Sequence, residues 1–170
     1  MRVTKTELYD RYYSVYPDKA KLYRGDTEMP NHCHNRVTFY SANTDDVAKL
    51  KQIFEDESCF GQIIPEPDWP NTPNKDGELP VKHEDPWLTY RWSNGRQDDR
   101  WYDWRIQNWD TKWDCYDVEV TDDDPEQGEI EFNTAWSPPE AICHALREQY
   151  PDVSVSWFYD EPGCEIAGYL

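Results

Sequence analysis

Two groups of side chains in this sequence could carry chemistry: carboxylates set in rows, and indoles interleaved with cations. The first group comprises Asp117, Glu119, Glu129 and Glu131, which alternate with apolar residues, and Asp122, Asp123, Asp124 and Glu126 between them. Asp98, Asp99, Asp103 and Asp110 make a second ridge. Rows of like charge suit recognition of a cationic surface, where complementarity sets partner choice and association rate. They are poorer candidates for acid–base catalysis. The adjacent pairs Asp98-Asp99 and Asp160-Glu161 are expected by chance among 35 acidic residues, and no companion motif selects one of them. The run from Asp122 to Glu126 has the composition of a calcium loop, but its turn glycine and terminal bidentate Glu are not at the required positions. It reads as a solvated hairpin loop.

The second group comprises Trp101, Trp104, Arg105, Trp109, Lys112 and Trp113. On a helix Arg105 sits among these indoles, so cation–π contact is available to it. The cluster forms either a ligand pocket or, as expected here, core packing with Arg105 paired to an acidic neighbour. His32, Cys33 and His34 resemble metal ligands, but alternation on a strand sends Cys33 to one face and both histidines to the other. A zinc site would need Cys115, Cys143 or His144 to converge on them, so no metal and no cofactor is expected. Cys143 and His144 are adjacent on a helix and do not face each other, which removes them as a nucleophile and its base.

The totals narrow the class. Thirty-five acidic against 17 basic residues leave −18 over 170 residues, a field that repels phosphate backbones and anionic membranes. Nine Trp, twelve Tyr and five Phe supply enough apolar surface for one folded domain despite low mean hydropathy. The five cysteines are odd in number and irregularly spaced, which suggests reduced, mostly buried thiols. No leader follows Met1 and no run approaches the ~20 apolar residues of a membrane span, so a cytoplasmic location is expected.

Elements must position these groups. Residues 1–28 hold six basic and five acidic side chains, a balance of +1 that leaves −19 on the rest; Leu8, Tyr12 and Tyr16 give this arm a short helix. Alternation from Cys33 to Ser41 predicts a strand. Asn43 or Thr44 should cap a helix that buries Val47, Leu50, Ile53 and Phe54 and runs to about Glu55. Phe60 to Ile64 suggests a short strand, and prolines then make 65–86 a long mobile loop. A helix follows from about Gln97 to Trp109. Cys115 to Val120 and Glu129 to Thr134 form a hairpin with one wet, negative face. Ser137-Pro138-Pro139-Glu140 reads as a capping box for a helix burying Ile142, Leu146 and Tyr150. Val153 to Tyr159 and Glu165 to Tyr169 close a second hairpin.

Met29-Pro30-Asn31-His32-Cys33-His34-Asn35-Arg36-Val37-Thr38 resembles the opening of the YubB-like (Api92-like) ferredoxin-fold proteins of phages and plasmids. Further similarity lies in Trp101-Tyr102-Asp103-Trp104, in Asn108-Trp109-Asp110-Thr111-Lys112-Trp113-Asp114, in Thr134-Ala135-Trp136-Ser137-Pro138-Pro139, and in Glu161-Pro162-Gly163 with Ala167-Gly168. That family usually begins at the residue matching Met29 and has Trp at His32 and Gly at Asp110. The resemblance implies an α+β domain over 29–170, with helices on one face of a ferredoxin-like antiparallel sheet and residues 1–28 as an extension. At Asp110 it implies a left-handed backbone. It brings no established activity.

The expected function is that of a non-enzymatic acidic accessory protein in a bacterial host cell. It would bind a basic, nucleic-acid-binding surface of a host protein, as a nucleic-acid mimic that inhibits a defence or DNA-processing system. Two alternatives stand beside it: an RNA- or single-stranded-DNA-binding sheet that stacks bases on Tyr116, Phe132, Trp157 and Tyr159, and an enzyme or ligand-binding protein built on the Trp-rich cluster. The charge opposes direct nucleic-acid binding.

Overall fold

The computed structural model describes residues 31–82, 90–121 and 124–170. The expected N-terminal helix, the end of the proline-rich stretch, Asp122 and Asp123 lie outside them. Alternation makes β1 (His32–Tyr40) the central strand: Cys33, Asn35, Val37 and Phe39 are buried, whereas His32, His34, Arg36 and Tyr40 are exposed. It pairs antiparallel with β5 (Gln127–Ala135) on one side and β6 (Ser154–Glu161) on the other. Outside these lie β4 (Tyr116–Thr121) and β7 (Ile166–Tyr169), giving the order β4-β5-β1-β6-β7. With α1 (Thr44–Glu55) after β1 and α4 (Glu140–Gln149) after β5, the chain traces two interlocked split βαβ units. This is a ferredoxin-like α+β domain with β7 as an added edge strand.

Local signals explain α1. The Asn43 side chain accepts from the Asp45 N–H at 3.2 Å, Asp45 and Asp46 occupy the first turn, and Val47, Leu50 and Phe54 are buried. These meet Phe60, Ile142 and Leu146 of the helical layer and Val37, Ile130, Phe132 and Trp157 of the sheet in one core. Among the described residues the helices cover one face only. Among the described residues no helix is long and apolar enough to cross a membrane.

Phe60 to Ile64 is not a strand: Cys59–Ile63 is a short helix, α2. A brief apolar run fits either state, and here Phe60 and Ile63, one turn apart, both reach the core. The described stretch 65–82 also carries more regular structure than its prolines suggest. It holds a 3-10 turn at Trp69–Asn71 and a small ladder of β2 (Val81–Lys82) with β3 (Tyr90–Arg91). Two arginines of α3 (Arg100–Trp109) fasten it. Arg100 lies over the Trp69 and Trp92 rings and donates to the carbonyls of Trp69 and Pro73. Arg105 Nε donates to Glu66 Oε1 at 2.6 Å, and its guanidinium lies 5.2 Å from the Trp101 ring centroid and 4.7 Å from that of Trp109.

The connector from Asp110 to Asp114 ties the layers together. Asp110 ends α3 in the left-handed region, at φ 60° and ψ 10°, as the resemblance implies. Its carboxylate accepts from the Ala141 N–H at 2.8 Å, so it caps α4 from a distance. The expected capping box is therefore wrong. The helix begins only after Pro139, which places Ser137 too early to reach its first amides, and the Ser137 hydroxyl donates instead to the Asp110 carbonyl. Thr111 is 1% exposed; its hydroxyl donates to the Ala135 carbonyl at 2.9 Å and accepts from the Ala135 N–H at 3.2 Å. Asp114 accepts from the Phe60 N–H at 2.9 Å and so caps α2.

Asp110→Ala is expected to lower stability by about 1–3 kcal/mol, because it removes the cap of α4 and places an alanine at positive φ. Asp110→Asn should stay within about 0.5 kcal/mol of the parent in urea unfolding, since asparagine caps as well and tolerates that backbone. Glu66→Ala should cost about 2 kcal/mol by leaving Arg105 without its charged acceptor. Tryptophan emission should report that change at the Trp101 and Trp109 indoles.

Candidate functional site

Among the described residues, helices on one face leave the other face of the sheet open. Antiparallel partners share a face, so the strand registers define rows across it. One row runs Glu119, Glu131, Arg36, Phe158, Tyr169. Beside it run Thr121, Glu129, Thr38 and Ser156 on one flank and Asn133, His34, Asp160 and Ala167 on the other. Strand spacing places neighbours in a row about 5 Å apart, and residues two apart on a strand about 7 Å apart.

A β-bulge brings in one more carboxylate. The β4 register slips between Tyr116 and Glu119, with Asp117 at φ 53°. The bulge turns Asp117 toward Asn133, whose side-chain amide donates to Asp117 Oδ2 at 3.4 Å. Alternation selects Asp117 for this face but does not anticipate the bulge that delivers it. His34, Arg36, Asp117, Glu119, Glu131 and Asp160 line a shallow depression of about 410 Å3. A neighbouring hollow of about 450 Å3 is bordered by Thr38, Thr121, Glu129, Ser154 and Ser156.

The electrostatics of this face are one-sided. Glu119 stands directly opposite Glu131, an arrangement that costs stability in a sheet. Asp117, Glu129 and Asp160 add to the field, and Arg36 is the cation in the middle. Its guanidinium lies 5.6 Å from the Phe158 ring centroid, and Phe158 packs on Tyr169 at 5.3 Å. Such a face attracts cationic side chains and offers an apolar shelf at its edge. Asp117, Glu119, Glu129 and Glu131, chosen from alternation, do converge here. His34, Arg36, Phe158, Asp160 and Tyr169 were missed, although the alternation in β1 and β6 carries the same signal.

The remaining chosen carboxylates separate. Asp124 builds the hairpin turn, accepting from the Glu126 N–H and from Gln127 Nε2, while its carbonyl accepts from Lys51. Glu126 is exposed and takes a 3.4 Å bond from the Tyr40 hydroxyl. Asp98 is a correction: it is 8% exposed and grips Arg100 through two bonds of 2.8 Å, so it is not a surface carboxylate. Asp110 is also removed from the ridge, because its carboxylate caps α4. Asp99, at the N-cap of α3, and Asp103 within it are exposed, but they belong to the helical layer and lie away from the open face.

The indole cluster divides in two. Arg105 is held by Glu66 between Trp101 and Trp109, while Trp104 packs edge-on against Trp69 and Trp109. The Lys112 ammonium belongs to a different group, 5.1 to 5.3 Å from the ring centroids of Tyr102, Trp113 and Trp136. The protein's own cations thus fill both positions.

Cys33 points into the core and His32 and His34 outward, so the triplet cannot share one ion. Cys143 is buried and His144 exposed; burial pushes the Cys143 thiol up, opposite to what an activated nucleophile needs. Of the aromatics considered for base stacking, Phe132 and Trp157 are core residues, and the Tyr116 hydroxyl is engaged by His32 Nδ1 at 2.6 Å.

The comparison with curated proteins gives no match. The crystal structure of a protein api92 from Yersinia pseudotuberculosis is similar at a TM-score of 0.48 and 10% identity, over 82% of this chain and 93% of that one. Residues 108–170, from the end of α3 through β7, match the family described as the ferredoxin-like domain in Api92-like protein.

Proposed function

We propose that this chain is a non-enzymatic accessory protein of a phage or plasmid, acting in the cytoplasm of a bacterial host. Its open sheet face docks on a basic surface of a host protein and takes the place of the nucleic acid that surface would hold, inhibiting a defence or DNA-processing system. The observation that carries this reading is the direct opposition of Glu119 and Glu131 within a face that also holds Asp117, Glu129 and Asp160. Like charges paired across strands lower stability, and a cationic partner relieves that cost on binding. Carboxylates about 5 to 7 Å apart on a pleated surface present negative charge in rows, as a phosphate backbone does. Loss of this repulsion and release of counterions both favour a basic partner.

The test uses an arginine-rich basic protein as probe, at low and at physiological salt. Wild-type protein should bind it with an affinity that falls as salt rises. Glu129→Lys with Glu131→Lys should weaken binding about tenfold more than Asp99→Lys with Asp103→Lys, although both pairs change net charge equally. Equal weakening would mean that total charge, rather than this face, governs association. Tight retention of RNA or single-stranded DNA at physiological salt would instead favour a nucleic-acid-binding sheet.

A further inference from the structure

A second constellation lies in the helical layer, apart from the open face. Cys59 opens α2, while Asp114 and Cys115 immediately precede β4, and the fold brings the three together. One donor atom from each, two thiol sulfurs and a carboxylate oxygen, lies within 4.8 Å of the other two. Among the described residues this is the one such group of three. Cys59 is fully buried, and Asp114 and Cys115 are partly exposed, so the group has an inner wall and an outer opening.

The carboxylate is already oriented. Asp114 Oδ1 accepts from the N–H groups of Phe60 at 2.9 Å and Cys115 at 2.8 Å, while Oδ2 accepts a longer bond of 3.4 Å from the Ser58 hydroxyl. Fixing one oxygen of a carboxylate by hydrogen bonds is how outer groups commonly prepare the other to ligate a metal.

We propose that Cys59, Cys115 and Asp114 bind a thiophilic divalent ion of the zinc(II) class, with a fourth position left for water. Two thiolates and one carboxylate suit a borderline-soft ion without geometric preference of its own. Ligand bonds of about 2.0 to 2.3 Å put tetrahedral donors about 3.5 to 3.8 Å apart, so small side-chain movements complete the site. Burial pushes the Cys59 thiol well up, which keeps it protonated in the metal-free chain. A thiol that ligates the ion gives up its proton to solvent, and no electrons move. The ion would join α2 to the start of β4, adding a bond where Asp114 already caps the helix.

Cobalt(II) titration of the full chain under reducing conditions tests this, with circular dichroism to confirm that each variant folds. One equivalent should give thiolate-to-cobalt charge-transfer absorption and tetrahedral ligand-field bands, both displaced by zinc(II). Cys59→Ser and Cys115→Ser should each lower the charge-transfer absorption by about half or more, because each removes one of the two thiolates, and Asp114→Asn should weaken binding at least about tenfold. Cys164→Ser, at an exposed cysteine, should change nothing. Absence of the band in reduced wild-type protein overturns the proposal, as does undiminished absorption in both cysteine variants. A reduced chain that stays silent to cobalt, yet forms a Cys59–Cys115 disulfide on oxidation, identifies the pair as a thiol couple and overturns it too.

Discussion

The hydrogen bonds of the Asp110–Asp114 connector are the constraint on which the rest depends. A helix start leaves amides without partners, and burying them uncapped is costly. The short helix α2 and the proline-led α4 both begin without a side-chain cap of their own. Asp114 supplies one to the first and Asp110 to the second, while Thr111 between them satisfies the backbone of Ala135 in β5. Five consecutive residues thus fix two helices and a strand against one another. Asp110 achieves this at positive φ, where glycine would be easier on the backbone but would offer no carboxylate.

Once the helices are held on one side, the opposite face of the sheet is free to be specified by something other than packing. Its rows of carboxylates around Arg36 do not help the sheet pair, and the Glu119–Glu131 opposition works against it. Stability comes from elsewhere, from the dense aromatic core of Phe54, Phe60, Trp109, Phe132 and Trp157 on the helical side. Folding and the proposed recognition therefore occupy different faces of one sheet. The arginines of α3 belong to folding: caged between indoles and paired with Asp98 and Glu66, they hold the proline-rich stretch.

Interactions that are local in sequence were legible in it. Alternation placed β1, and Asn43 with Asp45 and Asp46 placed α1 almost to the residue. The acidic face of the β4–β5 hairpin followed from the same periodicity. What failed was non-local. Phe60 to Ile64 reads equally as strand or helix until Asp114, far along the chain, caps it. Ser137 has the spacing of a capping box, but Pro138 and Pro139 delay the helix, and Asp110 takes over. Asp98 looks like surface charge until Arg100 folds back onto it. The meeting of Cys59 with Cys115 has no signature in spacing, because the fold alone brings α2 to the start of β4.

The central claim is that the open sheet face, and not the acidity of the whole chain, is the binding surface. Backbone amide chemical shifts followed by NMR during titration with an arginine-rich peptide test it most directly. The largest shifts are predicted for Arg36, Glu119, Glu131, Phe158 and their cross-strand neighbours, fading as salt is raised. Shifts centred on Asp99 and Asp103 of α3, or spread evenly over all exposed carboxylates, would contradict the account.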